Sequence, residues 1–202
     1  APIKETLAAA MVLLSRWDPS RILADPMCGS GTIAIEAALI GKNIAPGLNR
    51  NFVSEQWDII PQHIWRDLRE FAVNSINGRE FKILASDIDG RVIRTAMGNA
   101  KKAGVQDYIT FQKIPVQKFS SKKSCGFIIS NPPYGERLGE LKEVEKLYQD
   151  MGRVFSRLKG WNYFIITAHE KFEKHFGKKS DKNRKLYNGR LKCYYYQYFN
   201  FE

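Results

Sequence analysis

The sequence predicts an α/β fold with a mainly parallel, seven-stranded sheet, one antiparallel strand, and helices on both faces. Short apolar runs bounded by Gly and Pro alternate with amphipathic stretches of helical spacing along most of the chain. Such alternation is typical of a parallel sheet. The chain closes with two strand-like segments around Asn188-Gly189, a strong hairpin signal that reverses one strand.

The elements are predicted in chain order, with helices ended by Gly or Pro and strands by turn residues. The predictions are a helix over 3–17, a strand over 21–25, a helix over 33–40 stopped by Gly41, a loop over 45–58, a helix over 61–76, a strand over 81–86, a helix over 90–103, strands over 108–113 and 127–130, a helix ending near 158, a strand over 161–167, and a hairpin of 184–187 with 191–199. In the helix over 61–76, the residues expected to face the core are Trp65, Leu68, Phe71 and Ala72.

The chain of 202 residues is long enough for one domain with a full core, and 44% hydrophobic residues indicate a globular protein. A net charge of +11 favours a polyanionic partner, although solubility alone could account for it. Nine basic residues lie between 171 and 192 against Glu173 and Asp181, which makes that segment a candidate nucleic-acid surface.

Cys28, Cys125 and Cys193 are far apart, which argues for a reducing, cytoplasmic location and against a disulfide framework or a zinc site. His169 and His175 are six residues apart, and we expect them to be surface or packing residues rather than ligands of a shared metal. No metal site is predicted.

The segment Asn131-Pro132-Pro133-Tyr134 directly follows a buried strand. Two prolines end the strand and stiffen a corner at its carboxyl end, where open α/β sheets bind ligands. The Asn131 side-chain oxygen and the Pro132 carbonyl could accept the N–H groups of a nucleobase amine and orient its lone pair, and Tyr134 could stack on the base. The alternative is a rigid turn without chemistry.

Asp25-Pro26-Met27-Cys28-Gly29-Ser30-Gly31-Thr32 joins the first strand to a helix. The glycines allow a ligand to approach the backbone closely, but the match to the dinucleotide fingerprint is weak. Asp25 suits a ligand with an ammonium or sulfonium group, such as S-adenosylmethionine. The alternative is a turn that only packs the helix on the strand.

Asp87 ends the next strand and is the candidate for binding both ribose hydroxyls of an adenosine. Asp89 could instead cap the following helix, which is the alternative for either acid. Because the first and fourth strands can lie side by side, we expect the glycine loop and the Asn131 corner to share one edge of the sheet.

These motifs, with Pro2-Ile3-Lys4-Glu5-Thr6 before them and Glu136-Arg137-Leu138 after them, resemble the catalytic domain of class I S-adenosylmethionine-dependent methyltransferases. Within that class, nearly the whole chain is similar to THUMP-associated RNA guanine-N2 methyltransferases, notably those that act on bacterial large-subunit ribosomal RNA. The resemblance implies a Rossmann-like class I methyltransferase fold. It also implies that residues 1–202 are a single catalytic domain of a longer protein, because the family carries an N-terminal THUMP domain.

The resemblance also implies a role for each matching residue. The cofactor-binding residues would be Pro2, Lys4, Glu5, Thr6, Asp25, Cys28, Gly29, Ser30, Gly31, Thr32, Asp87, Ile88 and Asn131, with Ile88 against the adenine. The methyl-acceptor residues would be Asn131, Pro132, Pro133 and Tyr134. The chain departs from the family at Ile114-Pro115-Val116, where an acid usually meets the adenine amine, so we expect adenine recognition to rest on backbone groups.

The predicted function is methyl transfer from S-adenosylmethionine to the N2 amine of a guanine in RNA, in the cytoplasm. Proton loss can go to water, and neither Cys28 nor Cys125 is a nucleophile. The runner-up is adenine-N6 methylation of DNA or RNA. A catalytically silent RNA-binding module and an NAD-dependent oxidoreductase are the remaining alternatives.

Overall fold

The computed structural model describes residues 3–135 and 141–200, and its centre is a seven-stranded sheet. The strands are β1 (Ile22–Asp25), β2 (Ile83–Asp87), β3 (Ile109–Lys113), β4 (Gly126–Ser130), β5 (Trp161–Thr167), β6 (Lys182–Asn188) and β7 (Leu191–Tyr198). Their order is β3-β2-β1-β4-β5-β7-β6. Within the described ranges, only β7 runs against its neighbours β5 and β6, so the predicted single reversed strand is confirmed.

The helices are α1 (Glu5–Ser15), α2 (Thr32–Lys42), α3 (Gln62–Asn74), α4 (Gly90–Lys102), α5 (Leu141–Phe155) and α6 (Phe172–Phe176). Successive strand residues point to opposite faces and build two cores. Leu23 and Phe127 pack with residues of α1, α2 and α4 on one face. Ala24 and Ile128 pack with residues of α5 and α6 on the other. The sheet is therefore covered on both sides, as predicted.

Two predicted boundaries are wrong. α2 continues through Gly41 and ends at Lys42, and its C-cap residue Asn43 adopts the left-handed conformation. A Cβ atom at Gly41 would lie 2.6 Å from the Phe81 ring, so this glycine permits close packing rather than stopping the helix. In the closing hairpin, Asn188 pairs with Leu191, so the turn is Gly189-Arg190 and not Asn188-Gly189.

α3 does not contribute to the core as predicted. The side chains of Leu68 and Phe71 are 56% and 71% exposed, and none of the residues of α3 is fully buried. The helix instead packs on the 45–58 loop, where Arg69 donates to the Leu48 and Arg50 carbonyl oxygens. Its amphipathic pattern is real, but its apolar face is open to solvent.

The predicted basic segment forms part of α6 and the edge strand β6. Lys182, Arg184 and Lys185 are exposed on that strand, while Tyr195 and Tyr198 of the neighbouring strand β7 are fully buried. The sheet edge is therefore basic on its surface and aromatic in its interior. Over the described ranges, no helix has the length and apolar character needed to cross a bilayer.

Candidate active site

The carboxyl ends of β1 and β4 lie side by side, with Leu23 opposite Phe127. This neighbourhood confirms that the glycine loop and the Asn131 corner share one edge of the sheet. Between them lies a cavity of about 500 Å³. Nine predicted site residues line it, namely Asp25, Cys28, Gly29, Ser30, Thr32, Asp87, Ile88, Asn131 and Pro133.

The glycine loop is fixed by the adjacent strand β2. The Cys28 N–H donates to the Ser86 carbonyl oxygen over 2.9 Å, and the Gly29 N–H donates to Asp87 Oδ2 over 3.0 Å. Gly31 has a φ of +85°, and a Cβ there would lie 3.0 Å from Cβ of Ala96. Both its backbone conformation and its packing therefore require glycine.

Asp87 fixes the surrounding backbone by hydrogen bonds, and it is also the candidate for binding the ribose of the cofactor. Its Oδ1 accepts the Asp89 N–H over 3.0 Å while Oδ2 accepts from the glycine loop, so the carboxylate is held in one orientation. Asp89 accepts the Arg91 N–H over 2.8 Å and caps α4. The sequence left open which acid lines the site and which caps the helix. In the structure, Asp87 lines the cavity and Asp89 caps α4.

Asp25 links the glycine loop to β4. Its Oδ1 accepts the Ser130 hydroxyl over 2.7 Å, and Ser130 is the last residue of β4. Burial raises the pKa of the Asp25 carboxyl from 3.8 to about 7, an effect that the Ser130 hydrogen bond and the Met27 N–H oppose. The carboxyl therefore titrates close to neutral pH, and its charge is sensitive to a cation in the cavity.

Two tyrosines hold the Asn131-Pro132-Pro133-Tyr134 segment, the predicted acceptor corner, in place by hydrogen bonds. The Tyr134 hydroxyl donates to Asn131 Oδ1. The Tyr148 hydroxyl, from α5, donates to the Pro133 carbonyl oxygen over 2.6 Å. Tyr148 is fully buried and makes a second contact of 2.9 Å with Thr167 Oγ1. The corner is thus fixed to α5 and to the end of β5, and the sequence analysis did not identify Tyr148.

Tyr134 does not offer the stacking surface expected of it. Its ring is 5% exposed, so no face is open to a base, and its hydroxyl is engaged with the Asn131 amide. Burial also raises the pKa of the Tyr134 hydroxyl far above its usual range, which keeps the hydroxyl protonated and able to donate. In this arrangement Tyr134 orients Asn131.

A family model described as "UPF0020: RMKL-like, methyltransferase domain" matches residues 1–197. The chain belongs to this family. The predicted class I methyltransferase domain is thereby confirmed, and with it S-adenosylmethionine as the cofactor class.

Two relatives of this methyltransferase domain are much longer than the chain. "Putative RNA methyltransferase YpsC" of Bacillus subtilis is 51% identical over 201 residues, covering 99% of the chain and 52% of the relative. "Ribosomal RNA large subunit methyltransferase K/L" of Legionella pneumophila is 39% identical over 202 residues, covering 97% of the chain and 29% of the relative. The chain therefore spans about half of the first protein and less than a third of the second.

Three solved structures superpose on almost the whole methyltransferase domain. A "possible methylase" from Clostridium difficile has a TM-score of 0.98 and 52% identity, covering all of this chain and 54% of that one. SMU.472, "a putative methyltransferase complexed with SAH", has a TM-score of 0.96 and 45% identity, with the same coverage. A "predicted N6-adenine-specific DNA methylase" from Listeria monocytogenes has a TM-score of 0.93 and 48% identity, covering 98% of this chain and 52% of that one.

Some predicted residues of the methyltransferase domain lie outside the cavity wall. Lys4, Glu5 and Thr6 are exposed at the start of α1, where the preceding residue, Ile3, is the one that lines the cavity. The buried residues Gly31, Pro132 and Tyr134 support the site without lining it. Pro2 and the Glu136-Arg137-Leu138 segment are outside the described residues.

The opposite wall contains Gln117, which the sequence analysis missed, beside Pro115 and Val116 of the segment that it had named. Pro115, Val116 and Gln117 follow β3 and line the cavity where an acid was expected. The Gln117 side-chain N–H donates to Asp150 over 2.9 Å, which fixes its amide plane. An amide two residues beyond Pro115 was a signal available in the sequence, but only the 3-10 turn at Val116–Lys118 brings it to the cavity.

His169 and His175 are part-buried, as expected of packing residues, but the structure also brings them to one place. His169 and His175 lie together, with ring centroids 5.6 Å apart and planes at 86°. Both approach the Glu145 carboxylate on α5. Because α6 folds back on α5, residues six apart in sequence reach the same side chain from two directions.

Proposed function

We propose that this chain transfers a methyl group from S-adenosylmethionine to the exocyclic N2 amine of a guanine in RNA, with large-subunit ribosomal RNA as the substrate. One observation carries the proposal. Asn131 and Pro133 of the acceptor corner line the same cavity as Asp87 and Gly29 of the cofactor loop. A donor and an acceptor bound to these groups would share one enclosed space, as direct transfer requires.

The residues present fit the cofactor. The cavity volume of about 500 Å³ is within the range of small-molecule sites. Asp87 offers a fixed carboxylate for two ribose hydroxyls, and Ile88 and Val116 offer apolar surface for an adenine. Asp25 offers a carboxyl on the floor of the cavity, where its ionised form would stabilise a sulfonium. When bound, the cofactor supplies an electrophilic methyl group.

The acceptor corner would prepare the amine. An exocyclic amine is a poor nucleophile because its lone pair is delocalised into the base, and acceptors on its N–H groups would orient that lone pair and stabilise the positive charge that develops. Asn131 Oδ1, held by Tyr134, is one acceptor. The Pro133 carbonyl already accepts from Tyr148, which favours the Pro132 carbonyl as the second. The base would reach the cavity by flipping out of its stack.

RNA as the partner is supported by the names of the two relatives and by the charge of the chain, +11, with exposed lysines and an arginine along β6. The chain would work in the cytoplasm as the catalytic part of a longer protein. A THUMP domain outside residues 1–202 would supply much of the RNA affinity.

The test is methylation with isotope-labelled S-adenosylmethionine of unmodified, transcribed large-subunit ribosomal RNA, with transfer RNA and double-stranded DNA as comparison substrates. Nucleoside digestion and mass spectrometry should show N2-methylguanosine from the ribosomal RNA. Asn131→Ala should reduce transfer at least about a hundredfold, because the electrostatic and orienting contributions of one such acceptor are of that order. Its affinity for S-adenosylhomocysteine should stay near that of the unmodified protein.

Asn74→Ala on the exposed surface of α3 is the matched control and should change neither property. Loss of cofactor binding by Asn131→Ala, with transfer intact per bound enzyme, would contradict the assigned role. Cofactor binding without transfer to any nucleic acid would favour the silent RNA-binding module instead.

Adenine-N6 methylation is the second candidate, favoured by the Listeria structure described as an N6-adenine-specific DNA methylase. The same corner would serve that amine, because both are exocyclic amines of planar bases. N6-methyladenine in the DNA or RNA digest, without N2-methylguanosine, would replace the guanine assignment and leave the acceptor chemistry unchanged.

A further inference from the structure

Three side chains, from α5, from α6 and from the segment after β5, converge near Tyr148. Glu145 lies on α5, His169 follows β5, and His175 lies on α6, and one potential ligand atom from each lies within 4.8 Å of the others. His175 Nε2 is 3.2 Å from Glu145 Oε1, and His169 Nε2 is 3.9 Å from the same oxygen. We define these three residues as the histidine cluster.

The histidine cluster contains a polar atom without a hydrogen-bond partner. His175 Nε2 is shielded from solvent and makes no hydrogen bond of acceptable geometry, despite its short distance to the carboxylate. A buried nitrogen in this state commonly faces an ion or a water.

We propose that Glu145, His169 and His175 form a zinc site. Two imidazoles and one carboxylate are a donor set of zinc enzymes, whereas magnesium and calcium prefer oxygen ligands alone. Glu145 is 29% exposed, so the fourth position can be taken by water. None of the three residues lines the cofactor cavity, and the site is separate from the proposed methyl transfer.

The geometry is close to what zinc requires. Donors at about 2.1 Å from a tetrahedral ion are about 3.4 Å apart. The two distances to Glu145, 3.2 and 3.9 Å, are already near that value. With every pair within 4.8 Å, the two histidine donors need to approach by at most about 1.4 Å, which rotation of the imidazoles can provide.

One contact opposes the metal. The Lys171 N–H donates to His169 Nδ1 over 3.2 Å, so the proton of neutral His169 lies on Nε2. Zinc at Nε2 would move that proton to Nδ1 and break this long hydrogen bond. The competing arrangement is a metal-free cluster in which the histidines pair with Glu145, and the experiment separates the two.

Zinc at this position would stabilise the acceptor corner indirectly, through the contacts of His169. The His169 ring packs edge-on against Tyr148, with centroids 5.4 Å apart. The backbone N–H of His169 donates to Thr167 Oγ1 over 3.1 Å. Tyr148 in turn supports the Pro133 carbonyl. The ion would therefore fix α5, α6 and the end of β5 around the tyrosine that positions the corner.

The test is calorimetric titration of the chelator-treated protein with zinc chloride. One ion per chain with a dissociation constant below about 1 μM is expected, together with a higher melting temperature in zinc, because an ion bound only by the folded state stabilises it. His175→Ala and Glu145→Gln should weaken binding at least a hundredfold. His63→Ala, an exposed histidine on α3, is the matched control and should bind normally.

Cobalt substitution excludes thiol ligands, since cobalt bound by nitrogen and oxygen shows visible bands without the near-ultraviolet sulfur charge-transfer band. Circular dichroism confirms that each variant is folded, and His175→Gln replaces His175→Ala if the latter is not. The proposal is overturned if the unmodified protein shows no zinc binding below 10 μM. It is equally overturned if folded His175 and Glu145 variants bind normally, or if the charge-transfer band appears.

Discussion

Replacing Tyr148 with phenylalanine tests whether the acceptor corner is positioned from α5. The Tyr148 hydrogen goes to the Pro133 carbonyl, so the Thr167 hydroxyl donates to Tyr148 and accepts the His169 N–H. Tyr148→Phe keeps the shape of the fully buried ring and removes only the shared oxygen. The Pro133 carbonyl and the Thr167 hydroxyl would each lose a hydrogen bond, and together these losses should lower the free energy of unfolding by about 2–3 kcal/mol. For a domain of this size the melting temperature should fall by roughly 4–12 °C.

The catalytic effect of the same change should be larger than its effect on cofactor binding. A corner released by a fraction of an ångström misplaces the amine, and misplacement of about 1 Å can cost roughly a hundredfold in rate. We expect kcat to fall at least about tenfold. The dissociation constant for S-adenosylhomocysteine should stay near the value of the unmodified protein, because Tyr148 does not line the cavity.

Tyr163→Phe is the matched control. Its hydroxyl also lies within hydrogen-bond distance of two partners, the Phe155 and Leu158 carbonyl oxygens, and its ring is 3% exposed, but these contacts lie at the end of α5 far in sequence from the corner. It should lose similar stability and keep its kcat. Equal kcat in the two variants, measured well below both melting temperatures, would refute the positioning role of Tyr148.

Three further predictions concern the loop, its floor and the helix packing. Asp87→Ala should weaken S-adenosylhomocysteine binding at least about tenfold by calorimetry, because the carboxylate both fixes the Gly29 N–H and faces the cavity; unchanged affinity would contradict the assignment. Because the folded state raises the pKa of Asp25 from 3.8 to about 7, this group stabilises the protein fully below pH 3.8 and progressively less up to pH 7. The melting temperature of Asp25→Asn relative to the unmodified protein should therefore rise as the pH increases from 3.8 to about 7, and a flat difference would count against the shift. Gly152→Ala should lose about 3 kcal/mol in denaturant unfolding, since its Cβ would lie 1.9 Å from the Phe176 carbonyl oxygen, whereas Gly98→Ala in α4, where the Cβ meets nothing within 4 Å, should be neutral or stabilising.

Local signals in the sequence were sufficient for the order of the elements. The Pro132-Pro133 pair cannot continue a strand or a helix, so the end of β4 was visible without any tertiary information. The glycine loop and Asp87 were recognised for the same reason, because their positions after short apolar runs fix them at the carboxyl edge of a parallel sheet. These are constraints of backbone geometry, and they act within a few residues.

The wrong predictions for α3 and Gly41 share one cause, which is that burial cannot be deduced from a local pattern. The amphipathic pattern of α3 showed an apolar face but not what covers it, and Leu68 is exposed because the helix packs on a loop instead of the sheet. The local sequence predicts that Gly41 ends the helix. In the structure, the Phe81 ring packs against Gly41 and leaves no room for a side chain, so glycine is required inside the helix. Burial depends on partners distant in sequence, which periodicity does not encode.

The sequence by itself determined the α/β order and placed the glycine loop and the Asn131-Pro132-Pro133 corner at strand ends, because proline and glycine set the possible backbone conformations wherever they occur. Only the tertiary structure decided that Tyr134 orients Asn131 instead of stacking, that Tyr148 holds the Pro133 carbonyl, and that two histidines meet Glu145. Those relations join side chains from α5, α6 and the ends of β4 and β5. Their distances are set by how helices pack on the sheet, and no local property of the chain specifies them.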